Sequence, residues 1–235
     1  MQEYTGYFNN KYFYDDLGLF VADYSSYTQI NEKVEDVEVE GRSGTLTIKS
    51  GAYPNRKKDI KFRLRDNENL WFQIDNILEW LDNIEDNRLI YDREDRAYRV
   101  KRVEKDDITK KILQYGEFTA TFICEPFLTD LENTIYEITS NNFSFYYNGT
   151  APGESLIKVY GSGNIQLAIN DETMQINNVS NYVEVDSKLM QIRNQDLTSK
   201  DDVLGDFILF EKGNNTISYT GNVTKIIVEY TTQYK

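Results

Sequence analysis

Apolar and polar residues alternate with a period of two along much of the chain. Two such runs, residues 37–40 and 45–48, flank the glycine-containing turn at residues 41–44 and predict a β-hairpin. Residues 60–64 form another run, in which apolar side chains lie on one strand face and basic side chains on the other. This part of the chain is therefore predicted to be a sheet of short strands.

One segment of the first part follows a helical period instead. Six apolar residues recur there at the spacing of a single helix face: Leu70, Ile74, Ile77, Leu78, Leu81 and Ile84. The predicted helix covers one face of the sheet. Strands at residues 88–91 and 97–103, on either side of a charged turn, and at residues 115–124 complete this predicted domain.

The second part of the chain predicts an antiparallel sandwich. Residues 165–169 and 174–176 flank one turn, and residues 216–219 and 225–230 flank a second turn at residues 220–222. Gly161 to Gly163 also read as a turn, because no helix follows them that would make a phosphate site. Closely spaced turns without a helix are typical of a sandwich or jelly roll.

We place the domain boundary beside Pro126, because proline interrupts a central strand. The predicted domains are residues 1–130 and 131–235. The predicted fold class is mainly β with one α-helix: a sandwich-like or barrel-like first domain with a packed helix, followed by a jelly-roll sandwich.

The amino-acid composition excludes several kinds of catalytic and metal site. Histidine is absent and Cys124 is the one cysteine, so histidine-dependent triads, cysteine or histidine zinc sites and intrachain disulfides are excluded. The chain carries 39 acidic against 26 basic residues, a formal charge of −13 that disfavours nucleic-acid binding. No apolar run approaches the ~20 residues of a membrane span, and residues 1–5 do not resemble a secretory leader. We therefore expect the chain to fold in a cytoplasm.

No catalytic residue, cofactor or metal ligand is predicted. Carboxylate pairs cannot be assigned from sequence, and acidic turns at residues 92–95 and 201–202 are read as solvated rather than as calcium loops. Cys124 alternates with Phe122 and is interpreted as a small buried residue.

Two oppositely charged segments stand out as candidates for a subunit interface. Acidic residues are concentrated between positions 32 and 40, and basic residues between positions 56 and 65. They are predicted to pair either within one subunit or across a subunit boundary. The candidate interface residues are Glu35, Glu38, Glu40, Lys61, Arg63 and Arg65.

Beyond these patterns, the chain resembles the distal tail proteins of long-tailed, siphovirus-type phages and prophages of Gram-positive bacteria. Residues 37–46, the Gly51-Ala52-Tyr53-Pro54 motif and residues 60–64 resemble the opening domain of that family. Residues 122–127 resemble the end of that domain. The second domain is similar to the family's galectin-like module at several segments: residues 148–152, 156–163, 213–217 and 220–222.

The resemblance implies a structural protein without enzymatic activity. Such proteins form a homo-hexameric ring at the tail tip, the hub of the baseplate and adsorption apparatus. The ring joins the tail tube protein to the tail-associated fibre or lysin protein. The first domain would form the ring, and the galectin-like domain would point outward. The expected location is the tail tip of a virion assembled in the host cytoplasm. Receptor-binding proteins are a further candidate partner, although the second domain lacks an inserted arm.

Three other functions remain as alternatives. A carbohydrate-binding module would recognise host cell-wall saccharide through aromatic residues such as Tyr182 or Tyr219. A tail tube subunit would build extended tubes rather than single rings. A glycosidase that uses only carboxylates is the least favoured alternative.

Overall fold

The computed structural model describes residues 6–23, 29–66, 68–105 and 107–235, so residues 1–5 of the leader prediction lie outside it. The chain divides into two compact units. One runs to Leu128 and includes Lys235, and the other is Thr129–Tyr234. No helix among the described residues is both long and apolar enough to cross a membrane.

The first unit is a sheet with two helices. Its elements are β1 (Tyr7–Phe8), β2 (Lys11–Tyr12), β3 (Leu19–Asp23), β4 (Val34–Glu38), β5 (Thr45–Lys49), β6 (Arg56–Leu64), α1 (Leu70–Asp82), β7 (Arg88–Ile90), β8 (Arg96–Lys105), α2 (Ile108–Tyr115) and β9 (Glu117–Asp130). The main sheet has the order β2-β1-β7-β8-β9-β6-β3, while β4 and β5 form a separate two-stranded sheet.

Alternation along β6 builds the core of this unit, as the sequence predicts. Ile60, Phe62 and Leu64 are buried, and the residues between them are exposed. Helix α1 buries Ile74, Ile77, Trp80 and Leu81. The Trp80 indole N–H donates to the Phe8 carbonyl at 2.8 Å. The predicted helix, the strand at residues 60–64 and the hairpins β4–β5 and β7–β8 are confirmed.

Helix α2 is an element that the sequence analysis missed. It has eight residues, of which Ile108 and Ile112 are buried, and is therefore shorter than the ~11–18 residues over which a helical period is recognised. Its ends carry clear signals nonetheless. The Asp107 side chain accepts from the Lys110 amide at 3.1 Å, and Gly116 closes the helix at a φ of 66°. The mainly β fold class is confirmed, and the first unit carries two helices rather than one.

The prediction that Pro126 interrupts its strand is wrong, because β9 continues to Asp130. The pairing of β9 with β6 ends where Cys124 meets Arg56, two residues before the proline. Strand β6 therefore requires no N–H from Pro126. The Pro126 carbonyl instead accepts from Arg56 Nε at 3.2 Å.

The second unit is a β-sandwich. Its strands are β10 (Thr134–Ile138), β11 (Phe143–Tyr147), β12 (Ser155–Ile169), β13 (Glu172–Val179), β14 (Tyr182–Asp186), β15 (Gln191–Asn194), β16 (Val203–Leu204), β17 (Gly213–Tyr230) and β18 (Gln233–Tyr234). One layer runs β10-β17-β12-β14-β15 and the other β11-β17-β12-β13-β16. Strand β18 belongs to neither layer and pairs with β9. The apolar side chains of both layers form a single core.

Two predicted turns are bends inside long strands. Residues 161–163 lie within β12 and residues 220–222 within β17, and these strands pair with each other along both layers. The register shifts at this point, as it does where strands pass from one layer of a sandwich to the other. Glycine is required there because a Cβ on Gly161 would lie 2.2 Å from the Asn222 carbonyl oxygen. Turn residues thus mark a bend that joins the layers.

Candidate subunit interface

The basic candidate residues form one exposed row, here called the basic stripe: Lys61 and Arg63 on β6 and Arg65 just after it. Their side chains are 47%, 62% and 54% exposed, respectively. They alternate with the buried residues Phe62 and Leu64, so the strand holds all three side chains away from the core. The predicted basic face of this strand is present.

Glu117, at the start of β9, is the carboxylate that the sequence analysis missed in this row. Its oxygens lie 2.6 Å from Lys61 Nζ and 2.5 Å from an Arg63 guanidinium nitrogen. Hydrogen bonds from Lys61 and Arg63 lower the pKa of Glu117. Arg65 pairs with Asp66 at 3.3 Å. One carboxylate serves two cations, so the stripe keeps an excess of positive charge near Glu117.

The acidic candidate residues lie on the β4–β5 hairpin. Glu35 and Glu38 belong to β4 and Glu40 to the turn, and all three are exposed. Within the described ranges, no ion pair joins residues 32–40 to the basic stripe. The structure therefore brings Lys61 and Arg63 together on Glu117 but leaves the acidic segment apart from them.

The β4–β5 hairpin has two chemically different faces. In its register Glu35 lies opposite Ile48, and Val37 lies opposite Leu46. Residues that face each other across an antiparallel pair project to the same side, so these four residues form one face, here called the apolar face. Leu46 and Ile48 remain 41% and 48% exposed. Glu38 pairs with Thr45 on the opposite, polar face, so Glu35 and Glu38 point to opposite sides.

Aromatic side chains border the basic stripe. Phe20 on β3 lies directly opposite Arg63 on β6, so the two share the exposed sheet face. The Phe20 ring centroid is 4.9 Å from that of Tyr14, and the Arg65 guanidinium lies 5.8 Å above the Tyr14 ring. Both rings are partly exposed. This surface offers apolar contacts as well as positive charge.

Two members of the predicted basic segment do not belong to this surface. Arg56 and Lys58 project to the buried side of β6, and the Lys58 side chain is only 2% exposed. Lys58 Nζ contacts Asp92 at 2.7 Å and lies 5.1 Å from the Tyr91 ring centre. A burial alternation that starts at Arg56 places these cations in the core, where Lys58 pairs with the carboxylate of Asp92.

The solvated reading of the acidic turns at residues 92–95 and 201–202 is wrong for Asp92, whose side chain is 14% exposed and pairs with Lys58, while the other carboxylates of these turns are exposed. Asp95 contacts Arg93, and Asp202 accepts from the side-chain amides of Asn177 and Asn178, each at 2.9 Å. Those two amide hydrogen bonds lower the pKa of Asp202. No group of three or more carboxylate or thiol side chains in the described part of the chain is arranged to hold a metal ion.

The two tyrosines considered for sugar stacking are engaged elsewhere. Tyr219 packs against the core of the second unit. The Tyr182 ring lies 5.2 Å from Tyr160, and its hydroxyl donates to the Gln195 carbonyl at 3.4 Å. Both rings are partly exposed.

Cys124 is fully buried beside Phe122 and Ala120, as predicted. Burial raises the pKa of its thiol to about 12. Because the thiolate is the reactive form, we expect iodoacetamide at pH 8 to leave the native protein unmodified. In denaturant the single thiol is expected to react fully. Intact mass spectrometry measures both, and rapid labelling of the native protein would contradict the burial of Cys124.

Comparison with known proteins rests on the fold. No family model matches the chain, and no curated protein matches its sequence. A solved structure does match: the crystal structure of SPP1 Dit (gp 19.1), described as a paradigm of the hub adsorption apparatus in phages that infect Gram-positive bacteria. The similarity covers 98% of this chain and 99% of that chain, with a TM-score of 0.68 and 14% sequence identity. The chain therefore has the fold of the Dit hub protein across both units.

Proposed function

We propose that this protein is a distal tail protein, a non-enzymatic hub at the tip of a phage or prophage tail. It assembles as a hexameric ring that joins the tail tube protein to the tail-associated fibre or lysin protein. The first unit forms the ring, and the second, a galectin-like sandwich, projects outward. A structural role also fits the exposed candidate surface, which is built from charged and apolar side chains without a reactive group.

One observation carries this proposal: the fold likeness spans almost the whole of both chains, and the other protein is a tail hub. A likeness confined to one sandwich would point to no particular role, because such modules serve many functions. Here two dissimilar units occur in the same chain and in the same order. That combination supports a shared role as well as a shared fold.

The interface of the proposed ring uses the oppositely charged surfaces. A cyclic ring needs two different patches on each subunit, each complementary to the other. The β4–β5 hairpin carries Glu35, Glu38 and Glu40, and the basic stripe carries a net positive charge. We infer that the hairpin of one protomer meets the basic stripe of its neighbour.

Particle mass and shape test the ring directly. Six copies of the 27.5 kDa chain give about 165 kDa. We expect light scattering of the purified protein to give this mass, and negative-stain images to show closed rings with a central hole. Extended tubes would instead indicate a tail tube subunit. Particles of other stoichiometry would contradict the hexamer.

Reversing the charge of the stripe is expected to weaken the ring. The double substitution Arg63→Glu and Arg65→Glu places like charges opposite the hairpin, so the ring should dissociate at lower salt and higher protein concentration than the wild type. The matched control is Arg102→Glu, because Arg102 also sits in an exposed pair, with Glu104. Adding Glu35→Arg to the double variant should partly restore the ring. An unchanged hexamer at moderate salt would reject this interface.

A further inference from the structure

We propose that the β4–β5 hairpin is an exchanged arm whose apolar face, Glu35, Val37, Leu46 and Ile48, packs on the β3–β6 surface of a second copy of this chain. This inference deepens the proposed ring by naming which face of the hairpin is covered and what covers it. It adds burial of apolar surface to a contact that charge alone suggested.

Within the described ranges, β4 and β5 pair with each other and with no further strand. A two-stranded hairpin is at best marginally stable by itself in water and normally needs further strands or a packed layer. Here every residue of β5 is exposed, as are four of the five residues of β4. The apolar face is therefore open to solvent in the protomer, although its side chains are of a type that sheets bury.

Apolar and acidic side chains lie together on the apolar face. Glu35 lies directly opposite Ile48, on the side that also carries Val37 and Leu46. The opposite side is polar, with Asp36 accepting a hydrogen bond from the Thr47 hydroxyl at 2.6 Å. A partner for the apolar face must therefore offer apolar contact and a positive charge together.

The β3–β6 surface of this chain offers both apolar contact and positive charge. Phe20 shares the exposed face of the main sheet with Arg63, and Tyr14 lies against Phe20. The aliphatic stems of Lys61 and Arg63 add apolar area beneath their charged ends. Hairpin and β3–β6 surface are different patches of one protomer, so a head-to-tail contact between copies can use both, and it closes into a ring when the rotation between neighbours closes. Complementary charge and shared apolar character identify a second copy as the occupant.

Substitutions on the two faces of the hairpin, compared with each other, test the proposal. The variant with Leu46→Ser and Ile48→Ser removes the apolar contact, and Val34→Ser is its control because Val34 is an exposed apolar residue on the polar face. We expect the apolar-face variant to raise the protomer concentration at half dissociation at least tenfold, about 1.4 kcal/mol. The control should stay within about twofold of the wild type. Sedimentation velocity over a dilution series measures both.

Crosslinking supplies a second readout that does not depend on the serine variants. Protomers with Ile48→Cys are mixed with protomers carrying Thr119→Cys, which lies opposite Lys61 on the receiving face. A short bifunctional maleimide should link the two chains, and Val34→Cys in place of Ile48→Cys should not. If the Leu46→Ser and Ile48→Ser variant still forms the ring and these crosslinks are absent, the exchanged-arm proposal is wrong. The proposed hub role is not affected by that result. Wild-type protein that is monomeric at every concentration contradicts both.

Discussion

Replacing Gly161 by alanine is expected to destabilise the second unit by about 3 kcal/mol. The added Cβ would stand 2.2 Å from the Asn222 carbonyl oxygen on the paired strand. No side-chain rotation relieves this overlap, because both atoms are tied to backbone. The strands must separate where β12 and β17 bend between the layers, and each layer depends on both strands.

A neighbouring glycine supplies the control for this prediction. Gly163 lies in the same bend with a φ of +77°, but a Cβ there meets nothing within 4 Å. Gly163→Ala should therefore lower the free energy of unfolding by about 1 kcal/mol, because alanine is less stable than glycine in the left-handed backbone conformation. Urea unfolding followed by far-UV circular dichroism should rank wild type above Gly163→Ala and Gly163→Ala above Gly161→Ala. Equal midpoints for the two variants would show that the strands do not meet closely at this bend.

Tryptophan fluorescence separates this effect from any change in the first unit. Both tryptophans of the chain, Trp71 and Trp80, belong to the first unit. The unfolding curve measured by their emission should therefore be unchanged in Gly161→Ala. A parallel loss of tryptophan signal at lower urea would mean that the two units unfold together.

The second large effect is expected from Asp92→Asn, which should destabilise the first unit by about 3–5 kcal/mol. Asp92 accepts from the Lys58 ammonium, which is 2% exposed, and from the Tyr98 hydroxyl. Asparagine keeps the shape of the side chain and removes its charge. The Lys58 ammonium then stays in the core without this carboxylate, and removing one partner of a buried pair is far more costly than removing both.

Two variants determine whether charge is the cause. Glu94→Gln neutralises an exposed carboxylate in the same turn and should leave the unfolding midpoint unchanged. Adding Lys58→Met to Asp92→Asn removes the buried cation and should recover much of the lost stability. Tryptophan emission from Trp71 and the buried Trp80, both in this unit, follows all three unfolding curves. A double variant that is less stable than Asp92→Asn alone would exclude the buried charge as the cause.

Elements with a strong local period were predictable from the sequence. The α1 helix carries several apolar residues at helical spacing, and the β4–β5 hairpin has two alternating runs around glycines. Helix α2 has only eight residues, too short a stretch for a helical period to be recognised. The bends at residues 161–163 and 220–222 carry the composition of turns. Only the pairing of β12 with β17 distinguishes a bend from a turn. Pairing between segments that are distant in sequence cannot be predicted from the local pattern of apolar and polar residues.

The candidate interface was predictable in composition but not in arrangement. Alternation along β6 was enough to place Lys61 and Arg63 on an exposed face. Their contact with Glu117 depends on the register between β6 and β9, which are separated by the whole of α1, β7, β8 and α2. The same holds for Phe20 beside Arg63. Extending the alternation back to Arg56 and Lys58 would have shown from sequence that these two cations face the core.

The proposed hub role requires the protein to lie at the tip of a tail. Immunogold electron microscopy tests this most directly, on the tailed particles released by cells that encode the chain, with antibodies raised against the purified protein. We expect gold only at the tail end farthest from the capsid. Labelling along the whole tube, or particles that carry no label anywhere, would contradict the assignment as a tail-tip hub.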